Sequence, residues 1–345
     1  MTRVLQAIAG AEHGGAEAFF TRLVLALDRA GLEQRVVMRR HAGRAATLRS
    51  GGIEPVELSF GGALDFFTAR GLRREIAAFR ADVVLTWMSR ASRLCPAGRF
   101  IHVGRLGGYY DLKYYRRCGH LIANTRAIVD YMVRSGWPAE RAHHLPNFAS
   151  AATAPPVPRK ALTTPAEAPL LLALGRLHAN KAFDVLIEAL TKVPEAWLWL
   201  AGEGKLRGEL EALAARLGVA PRIRFLGWRE DVAGLLAAAD MLICPSRHEP
   251  LGNVVIEAWA QGVPVIAAAS AGPRELISPE ENGLVVPIDD SGALAREIRR
   301  LLADRGLAAR LVAGGRRTYE GEYSEATVVA RYLDFFERVT GPCAA

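Results

Sequence analysis

Two short segments carry the residue types that handle phosphate and sugar. In the first, Glu249 and Glu257 stand eight residues apart within Ser246-Arg-His-Glu249-Pro-Leu-Gly252-Asn-Val-Val-Ile-Glu257-Ala258. An apolar strand ends just before it at Cys244-Pro245, and a helical pattern opens near Asn253. A helix start leaves backbone N–H groups unpaired at the positive end of the dipole, which suits a phosphate. Here those groups belong to Gly252, Asn253 and Val254, with Leu251 leading in. Glu257, about one turn along, is spaced to accept hydrogen bonds from vicinal hydroxyls. Glu249 is spaced to hold sugar hydroxyls or an electron-poor centre. The second segment is Leu174-Gly175-Arg176-Leu-His-Ala-Asn-Lys181-Ala-Phe-Asp184. Gly175 permits a tight exit from a strand. Arg176 and Lys181 can then clamp a diphosphate, one as a planar fork and one as a point charge. Taken singly, each segment also reads as a helix start or a solvated loop. Together, in strand–loop–helix settings, they read as a site.

The elements that must hold them follow from hydrophobic period. Strand-like runs are predicted at Val4–Ala9, Gln34–Met38, Val83–Thr86, Phe100–Val103, Leu121–Ala123 and His143–Leu145. They alternate with helical patterns at Gly15–Ala30, Leu64–Phe79 and Ile128–Ser135. The second half predicts strands at Leu170–Leu174, Trp197–Ala201, Ile223–Leu226, Met241–Cys244, Val263–Ala267 and Leu284–Val286, again with helices between them. Continuous apolar strands joined by helices imply parallel sheets covered on both faces. A proline-rich stretch free of apolar period divides the chain into a first domain at 1–150, a linker at 151–169 and a second domain at 170–345. The expected architecture is α/β: two Rossmann-like domains facing across a cleft, with ligands at the carboxyl ends of the strands. A last helix, about 324–339, carries Val328, Val329, Tyr332, Leu333, Phe335 and Phe336. It packs either back on the first domain or over the second sheet.

The chain has 345 residues, half of them hydrophobic and 23% charged, which excludes a disordered or fibrous protein. Its net charge of +8 is unevenly placed. Residues 1–150 hold 22 Lys and Arg against 12 Asp and Glu; residues 151–345 hold 22 against 24. The basic excess points to an anionic partner for the first half. Cys95, Cys118, Cys244 and Cys343 form no Cys-x-x-Cys pair, so neither a disulfide framework nor a structural zinc site is expected. No apolar stretch reaches about 18 residues and the first ten residues lack a signal-peptide pattern. A reducing, cytoplasmic location is expected, extending to the inner face of the cytoplasmic membrane.

The spacing of Gly-Arg-x4-Lys and Glu-x7-Glu, followed by Glu257-Ala-x-Ala-x-Gly-x-Pro-Val, resembles the family 4 glycosyltransferases of the GT-B fold. The resemblance runs on through Ala201-Gly-Glu-Gly204, Phe225-Leu-Gly-Trp228, Ala271-Gly-Pro-Arg-Glu275 and Asn282-Gly-Leu-Val-Val-Pro287. In the first half it rests on Gly14-Gly15-Ala-Glu17 and Leu145-Pro-Asn147. It implies a retaining enzyme that uses a nucleoside-diphosphate sugar and needs no metal or other cofactor. Arg176 and Lys181 would neutralise the leaving diphosphate, and Glu257 would bind the ribose. Glu249, with the amides of Leu251, Gly252, Asn253 and Val254, would hold the donor sugar and its β-phosphate. Gly14, Gly15 and Gly175 would admit the diphosphate closely, and Gly227 to Asp231 would lie by the base. The sequence has no Asp-x-Asp, which agrees with cations in a metal's place; Asp289-Asp290 reads as a helix cap. The family places a His at the end of a first-domain strand. His102 has the right residue type but lies inside its strand, where a core or surface role competes; Arg105 is the other candidate to face the cleft.

The acceptor falls to the first half. Phe66-Phe67-Thr-Ala-Arg70-Gly-Leu-Arg73-Arg74 and Tyr109-Tyr110-Asp-Leu-Lys113-Tyr114-Tyr115-Arg116-Arg117 combine aromatic rings with cations. Arg73, Arg74, Tyr109 and Lys113 therefore become candidates for a phosphorylated glycolipid or an anionic membrane surface. Plain amphipathic elements are the competing reading. No nucleic-acid-binding motif is present, so nucleic acid is not expected. The resulting expectation is transfer of a sugar to a saccharide or glycolipid acceptor in cell-envelope glycan synthesis, such as lipopolysaccharide core. The rivals are a nucleoside-diphosphate-sugar epimerase of the same fold and a catalytically silent sugar-nucleotide sensor or scaffold.

Overall fold

The structure is a computed structural model describing residues 2–11, 14–61 and 65–341. Leu64, where a helix start was expected, and Cys343 lie outside the described residues. The chain forms two compact units, Met1–Phe148 with Glu325–Ala345, and Ala149–Ser324.

The first unit runs β1 (Val4–Ile8), α1 (Gly15–Arg29), β2 (Gln34–Arg39), α2 (Ala42–Ser50), β3 (Val56–Leu58), α3 (Phe66–Phe79), β4 (Val83–Trp87), α4 (Met88–Leu94), β5 (Ile101–Leu106), β6 (His120–Ala123), α5 (Arg126–Arg134) and β7 (Ala142–His144). The second runs β8 (Leu170–Leu174), α6 (Phe183–Leu190), β9 (Trp197–Ala201), α7 (Arg207–Arg216), β10 (Ile223–Gly227), α8 (Val232–Ala238), β11 (Met241–Cys244), α9 (Asn253–Ala260), β12 (Val265–Ala268), α10 (Ala271–Leu276), β13 (Leu284–Val286), α11 (Ser291–Ala303) and α12 (Arg305–Thr318). The last helix, α13 (Glu325–Thr340), returns to the first unit.

Both sheets are parallel throughout. Their strand orders are β3-β2-β1-β4-β5-β6-β7 and β10-β9-β8-β11-β12-β13. Strands as apolar as β1 (VLQAI) and β8 (LLLAL), buried along their whole length, need helices on both faces. On one face of the first sheet, Phe19, Phe20 and Leu23 of α1 pack with Val328, Tyr332, Phe335 and Phe336 of α13. On the other, Leu72 and Ile76 of α3 pack against Leu5 and Val84. α13 thus finds the large apolar partner that its side chains require. The proline-rich stretch is laid on the second unit. Val157 N–H donates to the Gly234 carbonyl at 3.0 Å, and Arg159 reaches the Ala238 carbonyl at 2.8 Å and Asp240 at 3.0 Å.

Each strand order reverses once, between β1 and β4 in the first sheet and between β8 and β11 in the second. At such a point, neighbouring loops diverge to opposite faces and open a crevice at the carboxyl ends of the strands. The Gly14-Gly15 loop follows β1. The Arg176–Lys181 loop follows β8, and the loop carrying Glu249 follows β11.

Phe336 is 1% exposed in the shared core of α1 and α13. Phe336→Ala is expected to cost the first unit about 3–5 kcal/mol. In urea titration, the transition of that unit should move to lower denaturant while that of the second stays in place.

Candidate functional site

In the second unit the crevice holds an ion pair. Lys181 Nζ donates to Glu249 Oε2, and both side chains are largely buried. Burial works against the charge on Lys181, but Glu249 outweighs it and raises the pKa of the amine. Arg176 is exposed and makes no ion pair with a described residue. It lies close enough to oppose the charge of Lys181. The site therefore offers one cation held by a carboxylate and another open to solvent. Gly175 (φ +146°) and Gly202 (φ +147°) make the turn possible. A Cβ on Gly202 would fall 1.9 Å from the Gly175 carbonyl oxygen, so only glycine fits.

Arg247 was not singled out from sequence, yet it assembles these loops. Its guanidinium donates to both carboxylate oxygens of Asp184 (2.9 and 2.6 Å), to the Ala179 carbonyl (2.9 Å) and to Asp289 (2.5 Å). The Asp184 carboxyl loses solvent, which favours protonation, but the Arg247 hydrogen bonds prevail and lower its pKa. His248 N–H adds a bond to the Asn180 carbonyl at 3.2 Å. The turn bearing Lys181 is thereby fixed to the loop bearing Glu249. Of the acidic pair expected as a cap, Asp290 caps α11 through Ala293 N–H at 2.7 Å, while Asp289 faces Arg247.

Gly252 (φ +90°) turns the chain into α9, where Asn253 and Val254 open the first turn and Glu257 stands half-buried. Leu251 is buried, and Gly272 N–H donates to the Glu249 carbonyl at 2.7 Å, which braces the loop from α10. Gly227 turns at φ +68° beside an exposed Trp228. Asp231 is engaged bidentately by Arg229 at 2.7 and 2.6 Å.

In the first unit, the glycine loop is held by Glu17, which curls back to accept Ala11 N–H at 2.7 Å. A Cβ on Gly14 would sit 2.3 Å from the Glu17 carboxylate, and Gly15 begins α1. Buried Arg44 donates to the Ala11 carbonyl at 2.9 Å from the other side.

The two first-unit candidates for the reacting centre separate. Three residues apart on β5, they point to opposite faces of the sheet. His102 is second in the strand, at its amino end, and buried. It hydrogen-bonds Thr86 Oγ1 at 2.9 Å and lies 3.6 Å from Cys118 Sγ. Burial lowers its pKa to about 4. The expected placement at a strand's end is therefore not met by His102. Arg105, near the carboxyl end, is 3% exposed between the rings of Trp87 (4.4 Å) and Phe19 (4.8 Å). It donates to Tyr332 Oη at 2.9 Å and to Asn147 Oδ1 at 2.6 Å. Both acceptors are neutral groups.

Further along, Tyr109 packs edge-on against Tyr131 at 5.4 Å, and Lys113 pairs with Asp111 at 2.6 Å. With Trp137 they line a cavity of about 720 Å³. Arg74 is drawn to Glu75 at 3.0 Å, and Arg73 turns to a different cavity. Tyr109 and Lys113 thus line one cavity and Arg73 another.

Two doubly wound parallel sheets, one with cations and carboxylates gathered at its crevice, define the α/β fold of the two-domain sugar transferases. Solved structures share it. A glycosyltransferase from Rickettsia africae aligns with 99% of this chain and 99% of its own, at TM-score 0.88 and 18% identity. Anabaena HepE in complex with UDP and glucose aligns with 98% and 100%, at 0.84 and 21%. Residues 13–152 match the profile "Glycosyltransferase Family 4" and residues 168–304 match "Glycosyl transferases group 1". A lipopolysaccharide core biosynthesis glycosyltransferase of Rhizobium meliloti, LpsE, is 38% identical over 93% of this chain and 95% of its own. LpsD of the same organism is also 38% identical, over 94% and 95%. The chain belongs to the group 1, family 4 glycosyltransferases.

Two tests follow from the geometry. Arg247→Ala is expected to lower kcat/KM about 100-fold by loosening the turn that places Lys181. Arg247→Lys should recover little, because an ammonium cannot serve both aspartates as the fork does. The second concerns His102. Below pH 6.5 the unfolded chain takes up a proton that the folded ring refuses until about pH 4. Its contribution to stability is therefore complete above pH 6.5 and falls as pH drops toward 4, by at most about 1.4 kcal/mol per pH unit. Denaturation of the first unit across this range should show a shallower pH slope for His102→Asn than for the unaltered protein.

Proposed function

We propose that this glycosyltransferase moves a sugar from a nucleoside diphosphate to a saccharide or glycolipid of the lipopolysaccharide core, with retention at the anomeric carbon. The observation that carries this reading is the Lys181–Glu249 pair beside Arg176, which pairs with no described carboxylate, at the crevice of the second sheet. Breaking the glycosyl–phosphate bond leaves an electron pair on the diphosphate and a deficit on the sugar. Arg176, Lys181 and the first N–H groups of α9 meet the first; Glu249 is placed for the second. These cations supply the charge that a divalent metal provides elsewhere. Glu257 takes the ribose hydroxyls, and the exposed Trp228 after Gly227 offers a surface for the base. The support for this donor class comes from fold relatives such as HepE, solved with UDP-glucose at TM-score 0.83. The support for the acceptor class comes from the two Rhizobium relatives and from the lipopolysaccharide galactosyltransferase WaaB, at TM-score 0.75.

In the first unit, the Gly14-Gly15 loop supplies close backbone approach and Arg105 a fixed positive charge. The cavity of Tyr109, Tyr131 and Trp137 suits a saccharide, whose apolar faces stack on rings and whose hydroxyls meet Lys113 and Asp111. The basic surface containing Arg73 and Arg74 serves an anionic membrane on which such an acceptor is carried. No described helix is long and apolar enough to cross a membrane.

Lys181→Ala and Glu249→Gln should each cut turnover about 10²–10³-fold. A thermal-shift panel of UDP-, GDP- and ADP-sugars should show stabilisation by one class, near 2.7 kcal/mol at 100 times its Kd. Turnover unchanged in both variants would sink the assigned site.

A further inference from the structure

The amino-terminal edge of the first sheet carries a second cavity, of about 940 Å³. It is remote in kind from the crevice: its floor is formed where β5 and β6 begin, whereas ligands of this fold gather where strands end. Four arginines converge on it from four separate elements. Arg73 comes from α3, Arg93 from the last turn of α4, and Arg117 and Arg141 from the turns before β6 and β7. All four are exposed, and none is paired with a carboxylate among the described residues. No described residue of the lining is Asp or Glu. Between the arginines the floor holds the half-buried Phe100 and Ile101 together with His102 and His120.

Guanidinium groups cannot relieve their mutual repulsion by deprotonation. Four of them around one cavity create a standing demand for a compact anion, and the planar fork matches phosphate oxygens two at a time. A second feature adjoins the cavity. Phe66 and Phe67, on the first turn of α3, are 74% and 84% exposed. Phe66 lies three and seven residues before the lining residues Ala69 and Arg73, hence on the same helix face. A charged seat continued by bare aromatic rings has the polarity of an amphiphile with a phosphate head.

We propose that this cavity seats the phosphate of an anionic membrane lipid, with Phe66 and Phe67 entering the apolar layer beside it. The proposal rests on the membrane reading above and assigns to it a specific seat, apart from the reaction centre.

Co-sedimentation with phosphatidylcholine vesicles, with and without phosphatidylglycerol, tests it. The unaltered protein should bind only the anionic vesicles. Arg93→Gln/Arg117→Gln should weaken that binding about 30-fold. Arg93→Lys/Arg117→Lys should also lose most of it, because charge is kept and the fork is not. Phe66→Ser/Phe67→Ser should weaken it with the arginines intact. Stabilisation by the donor sugar nucleotide should be unchanged in every variant. Absence of binding by the unaltered protein would overturn the membrane reading and this seat together. Full binding by the lysine pair would overturn the seat alone, leaving a diffuse charge effect. Protection of the arginines by inorganic phosphate, with vesicle binding indifferent to the phenylalanines, would assign the cavity to a soluble anion and overturn the lipid.

Discussion

The crevice of the second unit depends on one guanidinium. Arg247 has three anchor points, Asp184, Asp289 and the Ala179 carbonyl, on two stretches of chain that share no secondary structure. Only a planar fork with several donors can satisfy them at once. With the loops so fixed, Lys181 and Glu249 are brought together without having to find one another. That matters because the pair is largely buried, and burying two charges costs more than their attraction returns unless the geometry is already set. Glu249 keeps the ammonium charged against burial. A ligand that recruits Lys181 must share it with Glu249, while Arg176 has no such tie.

Arg105 shows a different solution to the same physical difficulty. It is buried deeper than Lys181, yet its acceptors are a tyrosine hydroxyl and an asparagine amide, and its faces are covered by Trp87 and Phe19. Ring faces and neutral oxygens stabilise a cation without cancelling it. The charge therefore persists near the carboxyl end of the first sheet as a fixed source of positive potential. The pairing in the second unit is adjustable; this arrangement is rigid.

Much of this was legible in the chain. The strands were, because buried parallel strands are written as unbroken apolar runs. The loop positions of Lys181 and Glu249 and the helix position of Glu257 were, because their spacing from strand ends and helix starts is local. The elements that escaped are those with little apolar period. β3 is a three-residue edge strand, α2 reads Ala-Gly-Arg-Ala-Ala-Thr-Leu-Arg-Ser, α4 opens directly from β4 at Met88 (φ +70°), and the six residues of α10 include Pro273. Arg247 escaped because its partners lie 42 and 63 residues away; Arg105 was singled out, but its partner Tyr332, 227 residues away, was not. The separation of His102 from Arg105 was available all along, since an odd spacing on a strand places two side chains on opposite faces.

The return of α13 to the first sheet has a bearing on how the protein is made. A chain emerging from the ribosome presents residues 1–148 first, but the face of β5, β6 and β7 that α13 covers stays bare until residues 325–340 follow. The second unit is contiguous and can close on itself in the meantime. Translation order and folding order are thus inverted: the unit begun first is finished last. Throughout synthesis, an apolar surface that includes Phe19 and Phe20 awaits its cover.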